Sequence, residues 1–123
     1  MNERILKFGE GLLGPTLSQE KQITLRKYRP EAHDFKEGQY FIGRFAEGLD
    51  IVLRAAVNTE VTTFGKLSDE IAKQDGFADA GDAFSGMRKY YEDLTLDTAC
   101  AIIRYEIPLI AEIPSVRMSL PEY

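Results

Sequence analysis

Glu20-Lys21-Gln22-Ile23-Thr24-Leu25-Arg26 is the stretch on which the fold turns, because residues 22–26 alternate polar and apolar side chains. A period of two is that of a half-buried β-strand: Ile23 and Leu25 turn inward, and Gln22, Thr24 and Arg26 turn to the other face. Before it, residues 4–8 suit a first strand. Gly9, Gly11, Gly14 and Pro15 interrupt the next segment, with Leu12, Leu13 and Leu17 packing from a helical turn. After the decisive stretch, residues 28–37 are polar, carry Pro30 and read as a loop. Gly38 supplies a positive φ for a turn. Residues 40–45 and 51–57 form a strand pair bent at Gly48, and 58–63 continue the second strand.

The period then lengthens. Thr63 caps a helix over 64–74 with Phe64, Leu67 and Ile71 on one face, and Asp75-Gly76 ends it. Residues 79–94 form a second helix, with Phe84, Met87, Tyr91 and Leu94 three or four residues apart. Residues 98–107 return to strand character, and Pro108 closes them. Strands on both sides of a helical insert argue against an alternating parallel α/β arrangement. The economical solution is an α+β fold: a small mixed β-barrel with helices packed on it.

The 123 residues suit one domain over 1–108, with 109–123 a C-terminal extension. Leu109, Ile110, Ile113, Val116, Met118 and Leu120 make that extension apolar enough to pack on the domain or at an interface. Monomer and homodimer both fit. The net charge is −5, so long nucleic acid held by many phosphate contacts is disfavoured. Lys21, Arg26, Lys27 and Arg29 fall close together and form either a local basic patch or a solvated face. A single cysteine, Cys100, excludes an intramolecular disulfide and a cysteine-based zinc site, and its apolar surroundings mark a buried thiol. His33, the one histidine, lies in the polar loop and reads as a surface residue. No apolar run reaches the roughly 20 residues of a membrane span, and no signal-peptide core opens the chain, so the expected compartment is the cytoplasm. No metal or cofactor is expected.

Residues 20–26 lead on to Phe35-Lys36-Glu37-Gly38-Gln39. Some fifty residues after the first stretch comes Leu67-Ser68-Asp69-Glu70-Ile71-Ala72-Lys73-Gln74-Asp75-Gly76-Phe77, then Phe84, Met87 and Tyr90-Tyr91. In this ordered set the chain resembles the ASCH family of the PUA-like superfamily, over roughly residues 8–105. The resemblance implies a small β-barrel that handles RNA or modified nucleosides. Among the family's members are bacterial amidohydrolases that remove the acetyl group from acetylcytidine with a lysine, a threonine and a glutamate. By resemblance these fall on Lys21 as base, Thr24 as nucleophile and Asp75 as the carboxylate, and Arg26 also matches; the expected substrate-binding residues are Arg26, Arg44, Glu70 and Tyr91. Glu70 is the alternative carboxylate. This chain differs in having Gln22 where the family often has threonine, Asp75 for glutamate, and Ser18-Gln19-Glu20 where a glycine usually precedes the lysine.

Amide hydrolysis needs a nucleophile, a base and donors for the developing oxyanion. A lysine serves as base when burial or a nearby cation lowers its pKa. Lys21 and Thr24, three residues apart, point to opposite faces of a regular strand, so they converge only if Lys21 precedes the strand or sits in a bulge. Taken singly, Lys21 also reads as a surface lysine, Thr24 as an outward strand residue and Asp75 as a helix-end residue. Tyr40, Phe41, Phe45, Tyr90 and Tyr91 suit base stacking or a core. The same cleft also fits a non-catalytic RNA- or nucleotide-binding module, or a ribonuclease.

Overall fold

The computed structural model describes residues 4–109. The elements run β1 (Ile5–Phe8), α1 (Leu13–Leu17), β2 (Ile23–Lys27), α2 (Pro30–His33), β3 (Tyr40–Phe45), β4 (Asp50–Ala55), β5 (Glu60–Thr63), α3 (Asp69–Gln74), α4 (Ala80–Arg88) and β6 (Ala99–Glu106). The strands form one mixed sheet ordered β1-β3-β4-β6-β2, with β5 also paired to β6. β1 runs parallel to β3 and every other pair is antiparallel. The sheet curls into a half-barrel with helices packed on it, the α+β arrangement read from the strand–helix–strand order. Its two end strands, β1 and β2, do not pair, so the half-barrel has an open seam.

β6 explains the layering. Its side chains alternate between two cores: Ala101, Ile103 and Tyr105 enter the barrel interior, while Cys100 and Ile102 enter a layer formed with the helices. Both faces are covered, so the strand is nearly all apolar. The interior is aromatic. Phe8 stacks on Phe45 at 4.7 Å, and Tyr105 meets Phe8 edge-on at 5.8 Å. Gly43 of β3 leaves room for these rings, since a Cβ there would lie 2.9 Å from Leu53 Cδ1.

β4 and β5 lie along the same side of β6, as the reading of 58–63 as a continuation requires. Ala55 faces Tyr105 and Glu60 faces Ile102, so residues 56–59 form a bulge that bends the strand.

Four local readings are corrected. The segment 28–37 contains the short helix α2, started by Pro30 at its first turn, and it buries His33 to 5% exposure. Residues 64–74 split into a 3₁₀ turn over Phe64–Lys66 and the helix α3, capped by Ser68 rather than Thr63; Ser68 Oγ accepts from Ile71 N at 3.1 Å. α4, capped by Asp79, ends at Arg88, and Leu94 enters the helical layer from the connection to β6. The polar face read from residues 22–26 is solvated only at Gln22, since Thr24 is buried and Arg26 half-buried. Cys100 is fully buried, as its apolar setting suggests.

Among the described residues no helix is long and apolar enough to cross a membrane. Of the C-terminal extension only Leu109 lies within the described residues, and it is exposed.

Candidate active-site cleft

Lys21 is placed by the end of α1. The helix closes with Gln19 N–H on the Thr16 carbonyl at 3.1 Å, and Gln19 takes a left-handed φ of 63°. Glycine adopts this conformation without strain, whereas glutamine holds the turn at a cost of about 1 kcal/mol. Lys21 N–H then bonds the Pro15 carbonyl at 3.0 Å, which folds Lys21 back before β2 begins at Ile23. Lys21 is therefore outside the regular strand, and the opposite-face restriction does not apply to it. Lys21 and Thr24 line one cleft.

Asp75 comes from the other side, at the C-terminal end of α3. Its carboxylate makes an ion pair with Lys21, and both side chains are more than 90% shielded from solvent. The pair also completes the exposed edge of β2. Lys21 Nζ donates to the Ile23 carbonyl at 2.6 Å, and Asp75 Oδ2 accepts from Leu25 N–H at 3.1 Å. Two edge groups that a neighbouring strand would otherwise take are thus bonded by side chains. Burial lowers the Lys21 ammonium to about 8, with the nearby Arg26 guanidinium acting in the same sense. The touching Asp75 carboxylate favours the charged form and acts against both.

Thr24 and Arg26 share the other face of β2. Arg26 Nε–H donates to Thr24 Oγ1 at 3.0 Å, and the guanidinium lies over the Phe8 ring at 4.9 Å, bridging from β2 to β1. The open cleft bounded by β1, β2 and the α3–α4 segment has a volume of about 990 Å³. Its walls carry Phe8, Phe77, Tyr90, Tyr91 and Met87 beside Lys21, Thr24, Arg26 and Asp75, with Lys7, Glu10 and Lys89 also lining it. Tyr91 is steadied by Lys27, whose ammonium lies 5.6 Å from the ring and pairs with Asp93.

Five of the seven residues singled out from the sequence, Lys21, Thr24, Asp75, Arg26 and Tyr91, line this cleft. Arg44 and Glu70 do not. Arg44 makes a two-pronged ion pair with Asp50 on the exposed face of β3 and β4, because their register sets the two side chains opposite each other. Glu70 lies exposed in the first turn of α3, a different face from Asp75, so Asp75 is the carboxylate against Lys21. The basic cluster of residues 21–29 divides: Lys21 is buried, Arg26 and Lys27 are half-buried, and Arg29 is exposed. Of the aromatics, Phe41 and Phe45 are core, while Tyr90, 84% exposed, stands at the cleft. Sequence reasoning missed Lys7, Phe8 and Lys89 as cleft residues. No local pattern marks them: the curl of the sheet brings Lys7 and Phe8 of β1 opposite β2, and the packing of α4 brings Lys89, at its C-terminal end, to the cleft.

No protein-family model and no curated protein matches the sequence. Solved structures do resemble it. One is the protein EF3133 from Enterococcus faecalis V583, described under the family model DUF984. It superposes with a TM-score of 0.65 at 17% identity, over 88% of this chain and 77% of that one. Another is the hypothetical protein PH0355, with a TM-score of 0.61 at 17% identity, over 85% of this chain and 98% of that one. At such identity the likeness shows a shared fold.

Proposed function

We propose that the protein is an ASCH-type, PUA-like amidohydrolase of acylated nucleosides such as N(4)-acetylcytidine, with Thr24 as nucleophile, Lys21 as base and Asp75 as the orienting carboxylate. The observation that carries this reading is the meeting, in one aromatic-walled cleft, of a buried Lys21–Asp75 pair and the Thr24 hydroxyl. A planar base fits between aromatic walls, and burial together with the Arg26 charge lowers the Lys21 ammonium in the direction a lysine base requires.

In this mechanism neutral Lys21 takes the Thr24 proton as Oγ1 attacks the acyl carbon. The hydrogen bond from Arg26 Nε stabilises the developing negative charge on Oγ1. Lys21 then returns its proton to the leaving exocyclic amine as the amide C–N bond breaks, leaving an acyl-threonine. Water adds to the acyl group with Lys21 again as base, Lys21 passes that proton to Thr24 Oγ1 as the ester C–O bond breaks, and the released acid loses its proton to solvent as the carboxylate. Asp75 keeps the lysine nitrogen in place through both steps.

The test is incubation of the purified protein with acetylcytidine, monitored by the absorbance change on deacetylation, alongside Lys21→Ala and Thr24→Val. Turnover is expected in the parent and a loss of at least about 100-fold in both variants, with Thr24→Val still folded by circular dichroism. Absence of turnover at high protein concentration sinks this substrate.

A second reading, a non-catalytic nucleotide- or RNA-binding module, is favoured by Tyr90 and Lys89 exposed together at the cleft. Phosphate-held RNA weakens steeply as salt rises, whereas an uncharged nucleoside does not, and that contrast separates the two.

A further inference from the structure

We infer that Arg26 is an oxyanion receptor set in the wall of the cleft, its ligand group a carboxylate or a phosphate. Four other cations each have a carboxylate of their own: Lys21 with Asp75, Lys27 with Asp93, Arg44 with Asp50 and Arg54 with Glu106. Arg26 is half-buried and, among the described residues, pairs with none. Its Nε–H is committed to Thr24 and its face to Phe8. The two terminal nitrogens, with four N–H donors in a planar fork, make no hydrogen bond within the described residues. A shielded cation of this kind is held at a free-energy cost unless an anion meets it, and a planar oxyanion matches the fork.

The surroundings agree. Lys7, Lys21, Arg26 and Lys89 line the cleft against Glu10 and Asp75, so it carries a positive excess in a chain whose net charge is −5. Close by, the buried hydroxyls of Tyr105 and Thr16 have no hydrogen-bond partner within the described residues, and Tyr105 feels the Arg26 charge. Polar capacity is left over on this side of the barrel.

Occupation of Arg26 has a consequence for Lys21. Arg26 is one of the two causes that lower the Lys21 ammonium, the larger being burial. An oxyanion on Arg26 cancels its field, and Lys21 then holds its proton to higher pH. Anion binding is accordingly linked to proton uptake around pH 8. Asp75 touches Lys21, and Glu10, Lys7 and Lys89 are the other charged groups that line the cleft. An oxyanion site at Arg26 does not require the amidohydrolase reading, although a carboxylate is the product which that reading releases.

The experiment titrates the full chain with sodium acetate and, separately, with inorganic phosphate at constant ionic strength. It tracks the Arg26 Nε–H and Lys21 Cε signals by NMR in the parent protein, Arg26→Gln, Arg26→Lys and Lys89→Ala. Saturable shifts of both signals are expected with at least one anion. Their dissociation constant should rise about tenfold or more in Arg26→Gln, with most of the binding kept in Arg26→Lys and Lys89→Ala. The Lys21 titration midpoint should move up on saturation. Binding by acetate alone identifies a carboxylate site, and binding by phosphate a phosphoryl site. Shifts that stay linear with both anions, or affinity unchanged in Arg26→Gln, overturn the inference. If Arg26→Gln fails to fold, the parent decides: Arg26 and Lys21 must respond with the same midpoint. Anion binding without acetylcytidine turnover sustains the oxyanion site and removes the amidohydrolase. Turnover without anion binding does the reverse.

Discussion

His33 is buried because α2 turns its ring inward and supplies a partner: Arg29 N–H donates to His33 Nδ1 at 3.0 Å. An accepting Nδ1 means the ring is neutral. Burial first, then the Arg26 and Arg29 charges, lower its pKa from 6.5 to about 4. Between those values the unfolded chain binds a proton that the folded one does not. Stability therefore falls as pH drops from 6.5 towards 4, by up to about 3 kcal/mol from this group. Urea unfolding at pH 7, 5.5 and 4.5 should show a steeper acid loss in the parent than in His33→Asn, whose side-chain oxygen keeps an acceptor but cannot titrate. Parallel losses in the two proteins refute the assignment. The same stretch of chain shows why one residue type cannot be read alone. A polar neighbourhood suggested a surface ring, but the pairing of that ring was local and invisible in composition.

Among the elements, β3 depends on Gly43. An added Cβ would lie 2.9 Å from Leu53 Cδ1, 3.1 Å from Phe45 Cε2 and 3.3 Å from Phe8 Cε2, all in the packed interior. Gly43→Ala is expected to cost about 1–3 kcal/mol, since three side chains must shift together. Measured by denaturant unfolding, a change below about 0.5 kcal/mol would mean that the interior has slack. Phe8 carries the Arg26 guanidinium on its ring, so this repacking also reaches the cleft. β2 makes a related point. Its alternation was legible, and so was the element, but its polar side is shielded because an open-seamed sheet has an inner face there.

For the molecule as a whole, the two cores meet at β6, and Cys100 reports on the layer between sheet and helices. It is fully buried, and burial pushes its thiol up to about 12. Ellman's reagent should leave Cys100 untouched in native buffer, with modification rising only as denaturant unfolds the chain. Fast native-state labelling would show that the helical layer opens independently of the barrel.

The sequence by itself determined the succession of the strands with a helical insert before the last one, the α+β class and the burial of Cys100, and its motif order pointed to residues worth testing at the cleft. Those come from side-chain period, turn chemistry and a motif order that are all local in the chain. Only the tertiary structure decided that Lys21 and Thr24 share a cleft, that Asp75 and not Glu70 meets the lysine, and that Arg44 belongs to an exposed pair with Asp50. It also brought Phe8 of β1 under Arg26 of β2. Each of these rests on how the sheet curls and where α3 ends against β2. Such long-range geometry comes from packing many residues at once, and no short window of sequence contains it.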